Sequence, residues 1–158
     1  MSRSINAAGL ALLKEFEGLK LEVYLDGNGY KTVGYGHKLT DDDDLDVGDT
    51  ITQEDANQYL GDDLEDTQDA VSDLTAVDLN DNQFSALVSF TYNEGAGRLK
   101  GSTLLRKLNT GDFAGAAAEF GRWTYIGSEI SGGLVRRRAA ERELFLTPED
   151  ESATHNID

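Results

Sequence analysis

The chain's 158 residues, 39% of them hydrophobic, suffice for one domain or two closely joined lobes with a sizeable core. The absence of cysteine excludes disulfide support, and two histidines without cysteines give no zinc-ligand spacing. Thirty acidic residues against fourteen basic ones give a formal net charge of −16, which disfavours nucleic acid as a partner and long-range attraction to an anionic polymer.

Six lysines accompany eighteen aspartates. This balance suits a protein working in high salt, where the Debye length falls to about 3 Å at 1 M; an acidic surface that merely aids solubility is the competing reading.

Met1 to Ala8 leads straight into a helical pattern without a long apolar run, so neither a signal peptide nor a membrane-inserted segment is expected. Ile5, Ala8, Leu12, Leu13 and Phe16 recur at helical spacing before Gly18, which predicts a helix ending at about Glu17. Leu21, Val23 and Leu25 then alternate with Glu22 and Tyr24, Asp26 to Gly29 supply turn residues, and Tyr30 to Tyr35 favour a strand. The helix should run directly into a hairpin.

Asp42, Asp44 and Asp46 alternate as calcium ligands do, but Gly48 falls one position late for an EF-hand and no glutamate closes the loop. A solvated loop is the expectation. Thr52 as N-cap, with Asp55 three residues on, opens a helix over 53–74. Its apolar face is Ala56, Tyr59, Leu60, Leu64, Ala70, Val71 and Leu74, with acids opposite. Asp81, Ser102 and Asp112 are expected to cap three further helices, and a last one follows Gly133 and ends near Leu146 before Thr147 and Pro148. Residues 147–158 are expected to form a mobile tail.

The chemistry concentrates between Glu15 and His37. Glu17 ends its helix, where the dipole and any burial both favour the neutral acid, the form that can protonate a leaving glycosidic oxygen. Asp26, at the mouth of a glycine-rich turn, is expected to stay solvated and ionised, with Thr32 on the returning strand helping to hold a water. Taken singly these are a surface Glu, a turn Asp and a strand Thr. Asn93, Ser102 and Thr103 are candidate sugar contacts or helix-terminal caps, and Trp123 reads as a core aromatic.

Glu17-Gly18-Leu19, then Tyr24 and Asp26, then Gly29 to His37, resembles the catalytic signature of the phage-type lysozymes, glycoside hydrolase family 24. The nine-residue step from Glu17 to Asp26 and the six-residue step on to Thr32 match that pattern without a gap. The resemblance continues through Ser89 to Gly95, Ser102 to Asn109, Arg122-Trp123 and Gly133 to Arg138, so it covers the chain to about Leu146. It implies an α+β, mainly α, lysozyme-like fold. A small hairpin-containing lobe (about 15–52) would be joined by a long helix (about 53–74) to a helical lobe (about 75–146, with the N-terminal helix), making residues 1–146 one catalytic domain. It implies a cofactor-free, monomeric muramidase cutting the β-1,4 bond between N-acetylmuramic acid and N-acetylglucosamine. Glu17 would be the acid, and Asp26 with Thr32 would place the attacking water. Inversion requires the carboxyls roughly 6.5 to 9.5 Å apart, retention about 5 Å. Tyr24 and His37 would support the cleft, and Arg137, or its neighbour Arg136, would approach Glu17. The partner would be bacterial peptidoglycan. The enzyme would wait in the host cytoplasm for a membrane-permeabilising partner to give it access to the wall. The alternatives are a lytic transglycosylase and a non-hydrolytic or virion-associated wall-binding module.

Overall fold

In the computed structural model, which describes residues 3–149, the first helix, α1 (Ala7–Glu17), stops where Gly18 adopts φ +70° and its N–H closes the last turn on Lys14 O. A residue with a Cβ would resist that left-handed backbone. Three short antiparallel strands follow: β1 (Lys20–Leu25), β2 (Lys31–Gly34) and β3 (His37–Lys38), in sheet order 1-2-3. The register sets Tyr24 opposite Thr32 and Val33 opposite His37.

The alternation in β1 does not produce the apolar face its pattern suggests. Val23 is buried, but Leu21 and Leu25 are exposed, and the pairing with β2 is irregular between Lys20 and Tyr24. The outer edge of β1 is covered by residues 48–51: Val23 N–H donates to Asp49 O, and Ile51 N–H donates to Leu21 O.

The aspartate run between sheet and helix forms a single 3-10 turn, Asp41–Asp43, in which Asp43 Oδ2 accepts from Thr40 N and Oγ1. Lys31 Nζ donates to Leu45 O and Asp46 Oδ1, so a lysine of the sheet occupies part of this loop's oxygen array. Then α2 (Gln53–Leu74) begins at the expected reciprocal cap, with Asp55 N–H donating to Thr52 Oγ1 and Thr52 N–H to Asp55 Oδ2, both at 3.0 Å. Ala56, Leu60, Leu64 and Val71 are its buried face.

The remaining helices are α3 (Asp81–Glu94), α4 (Ala96–Lys100), α5 (Thr103–Asn109), α6 (Phe113–Glu119) and α7 (Gly132–Leu146). A two-stranded hairpin, β4 (Tyr125–Ile126) with β5 (Glu129–Ile130), precedes α7. Ser102 and Asp112 cap α5 and α6 as expected. One cap and one helix start are corrected. Asn80, not Asp81, caps α3, through a capping box with Gln83; Asp81 is the first helical residue and pairs with Arg3. Ser131 caps α7, so Gly132 and Gly133 lie inside its first turn.

The chain divides into two compact units, one formed by residues 13–66 and the other by the segments that precede and follow them. The first holds the three-stranded sheet on a core of Leu13, Val23, Val33, Tyr35, Ala56, Leu60 and Leu64. The second is helical and aromatic. Phe90 meets Phe120 and Trp123 edge-on at 5.6 and 5.5 Å, and Phe120 meets Phe145 at 5.5 Å, so Trp123 is a core aromatic. Each buried side chain of this size contributes roughly 1.5–3 kcal/mol. The start of the expected tail is held here: Asn82 Nδ2 donates to Thr147 O and Pro148 O, and Asp81 N–H donates to Glu149 Oε1. The rest of that tail lies outside the described residues. Among those residues no helix is long and apolar enough to cross a membrane.

Candidate active site

Glu17, Tyr24, Asp26, Thr32 and His37 all fall within the unit 13–66. Glu17 is half-buried at the C-terminus of α1. Asp26 closes the β1–β2 turn: its Oδ1 accepts from Asn28 N–H at 2.8 Å and from Tyr30 N–H at 2.9 Å. Those amides, Tyr30 foremost, together with the Lys38 ammonium, hold the Asp26 carboxyl below its ordinary value. The carboxylate is therefore ionised, as its place in the turn suggests.

Thr32 stands opposite Tyr24 and is buried, with its hydroxyl proton committed to Tyr30 O at 2.9 Å. Its remaining lone pairs are acceptors. The Tyr24 phenol is pushed up, first by burial and then by the negative charges of Glu17 and Asp26, so it stays a hydroxyl donor near both carboxyls.

His37 is turned to the opposite task. Its Nδ1 lies 2.8 Å from Asp63 Oδ2, and its ring stacks on Tyr59 at 4.1 Å, which pins β3 to α2. Support of the sheet, not chemistry, is what these contacts deliver. Gly36 in the β2–β3 turn lies against Glu17, and a Cβ on it would overlap Glu17 Oε1.

The other candidates lie in the helical unit. Arg137 is buried: its Nε reaches Glu141 Oε2 at 3.2 Å and its Nη2 reaches Ser89 O at 3.1 Å, whereas Arg136 is exposed. Ser89 Oγ donates to Glu141 Oε2 at 2.6 Å, and Arg138 bonds Glu141 Oε1, Asn93 Oδ1, Glu94 Oε2 and Trp123 O. Asn93 is thus engaged by an arginine. Ser102 is committed to its cap, accepting from Leu105 N–H and donating to Leu99 O, and Thr103 opens α5 half-buried. Ser89, Glu94, Arg138 and Glu141 are the members of this network that the sequence does not single out as site candidates. The available signal was a glutamate spaced three and four residues after Arg138 and Arg137 on one helix.

An α-helix ending in a half-buried glutamate and running into a small sheet with an ionised turn aspartate is the arrangement of the lysozyme fold. A family model for phage lysozyme matches residues 14–141, and the chain belongs to that family. The endolysin of Bacillus phage B103 is 44% identical over 153 residues, which is 96% of this chain but 57% of that protein, so the chain spans little more than half its length. The endolysin of Salmonella phage P22 is 40% identical over 144 residues, 90% of this chain and 98% of that protein. Among solved structures, the muramidase domain of SpmX from Asticaccaulis excentricus superposes with a TM-score of 0.83 at 38% identity, covering 92% of this chain and 100% of that one.

Proposed function

We propose that this chain is a muramidase that hydrolyses the β-1,4 bond between N-acetylmuramic acid and N-acetylglucosamine of peptidoglycan, for phage-mediated lysis. The observation that carries this is the pairing, within one unit, of a half-buried glutamate with an aspartate held ionised by turn amides.

In this reading Glu17 protonates the leaving oxygen. The attacking water gives one hydrogen to Asp26 Oδ2, which the turn leaves open, and the other to Thr32 Oγ1, whose own proton is already spent on Tyr30 O. The water's lone pair then faces the anomeric carbon, which favours inversion. Tyr24 donates beside both carboxyls. The endolysin relatives support cell-wall peptidoglycan as the target. Access to it from the host cytoplasm is assigned to a membrane-permeabilising partner, so co-expression with a pore-forming protein should convert a silent cell into a lysing one.

The decisive experiment is digestion of purified peptidoglycan by wild type and Glu17→Gln, with mass analysis of the released muropeptides. Reducing muramic ends from the wild type alone are expected. Anhydro ends would make the chain a transglycosylase, and binding without cleavage would make it a wall-binding module. Near-normal turnover by Glu17→Gln would remove Glu17 from the acid role.

A further inference from the structure

We propose that Gly36 is a positioning residue for Glu17: the main chain of the β2–β3 turn lies against the carboxyl group and fixes where the acid sits. A Cβ built on Gly36 would overlap Glu17 Oε1 and lie 3.4 Å from Glu17 Cδ, so a side chain there would push the end of the flexible glutamate to a new position. Gly36 is also at φ +75°, so two separate constraints meet at one residue.

The turn is held on both sides of Gly36. Before it, buried Tyr35 receives Lys14 Nζ over its ring at 5.4 Å and Gln53 Nε2 at its hydroxyl at 3.4 Å. Lys14 lies on α1, one turn before Glu17 itself. After it, His37 is bonded to Asp63 and stacked on Tyr59 of α2. The wall behind the carboxylate is therefore anchored to the helix that carries the acid and to the helix that follows the sheet. A displacement of about 1 Å in a catalytic group costs on the order of a hundredfold in rate, so such a wall is worth having.

The inference rests on Glu17 being the acid, and Gly34 supplies the control. Gly34 has φ +70°, nearly that of Gly36, but a Cβ there would make ordinary contact with Ala56 at 3.6 Å and would not touch Glu17. Alanine at either position would have to adopt a similar positive φ. Only alanine at Gly36 adds the collision.

The test compares Gly34→Ala and Gly36→Ala for kcat, KM and thermal unfolding. Both should unfold at lower temperature, but only Gly36→Ala should lose kcat, by about a hundredfold, with KM changed by less than about twofold. Any destabilisation of Gly36→Ala beyond that of Gly34→Ala should vanish when each is made in a Glu17→Ala background. Equal kcat losses in the two glycine variants, or extra destabilisation that survives removal of the Glu17 side chain, would overturn the proposal. If Gly36→Ala does not fold, recovery of folding in Glu17→Ala/Gly36→Ala supports it and failure to recover overturns it. An active Glu17→Gln would instead remove the acid assignment, and the proposal with it, whatever the unfolding comparison gives.

Discussion

Asp26 and Glu141 are carboxyls that their surroundings move in opposite directions. The Tyr30 amide chiefly pulls Asp26 down; burial chiefly pushes Glu141 up, against the guanidinium groups of Arg138 and Arg137. For Asp26 the folded value is below the unfolded one. Its contribution to the turn is therefore present above the ordinary aspartate value of about 3.9 and is lost as pH falls through the depressed value. An NMR titration should show the Asp26 carboxyl and the Asn28 and Tyr30 amides moving together below about pH 4. A midpoint at or above the ordinary value would refute the amide cage. Asp26→Asn should lose most turnover in the muropeptide assay while the melting temperature barely changes. Glu141 is the contrasting case: Glu141→Leu removes the carboxylate that the buried Arg137 and Arg138 guanidinium groups share, at a cost of about 3–5 kcal/mol in urea unfolding. A cost below about 1 kcal/mol would mean that the network contributes little.

At the scale of elements, the cap of α3 separates two readings of adjacent residues. Asn80→Ala should cost about 1 kcal/mol, since it releases the Gln83 amide, whereas Asp81→Ala loses an exposed ion pair with Arg3 worth roughly 0.2–1 kcal/mol. Chemical denaturation in which Asp81→Ala is the more damaging would restore Asp81 as the cap. The elements legible in the sequence are those whose signals close within four residues: Gly18 ending α1, Thr52 with Asp55 opening α2, and Ser102 and Asp112 opening α5 and α6. What was illegible depends on remote partners. The strands β3, β4 and β5 have two residues each, too few to carry a period, and α4 is a single short helix. The alternation of Leu21, Val23 and Leu25 marks the two faces of a strand without saying whether a layer covers them, and Leu21 and Leu25 are exposed. The same division holds in the site. Glu17, Asp26 and Thr32 are candidates through their match to a family pattern, whereas the approach of Gly36 to Glu17, the His37–Asp63 bond and the link from Ser89 to Glu141, 52 residues away, come from tertiary packing.

Across the whole molecule the charge is unevenly shared. Residues 13–66 hold sixteen acidic side chains against four lysines, a net of −12 out of the chain's −16. Self-repulsion therefore falls on the unit with the smaller core and the candidate catalytic residues, and screening should relieve it there first. Hydrogen exchange of the full chain between about 0.05 and 1 M sodium chloride should show protection rising about tenfold in β1, β2 and α2 before Asp66, with less change in α3 and α7. An equal response in both units would reduce the acidic surface to a matter of solubility. Choline chloride at the same ionic strength should do as well as sodium chloride, because screening does not discriminate between monovalent cations.

In the helical unit, the bonds joining Ser89, Asn93 and Glu94 of α3 to Arg137, Arg138 and Glu141 of α7 have a bearing on descent. The two segments lie some fifty residues apart in the gene, yet neither can be inherited alone without stranding a charge inside the protein. Recombination between diverged genes of this family with a crossover between these helices should yield insoluble hybrids wherever the partners differ. Crossovers on either side of the pair should leave folded ones.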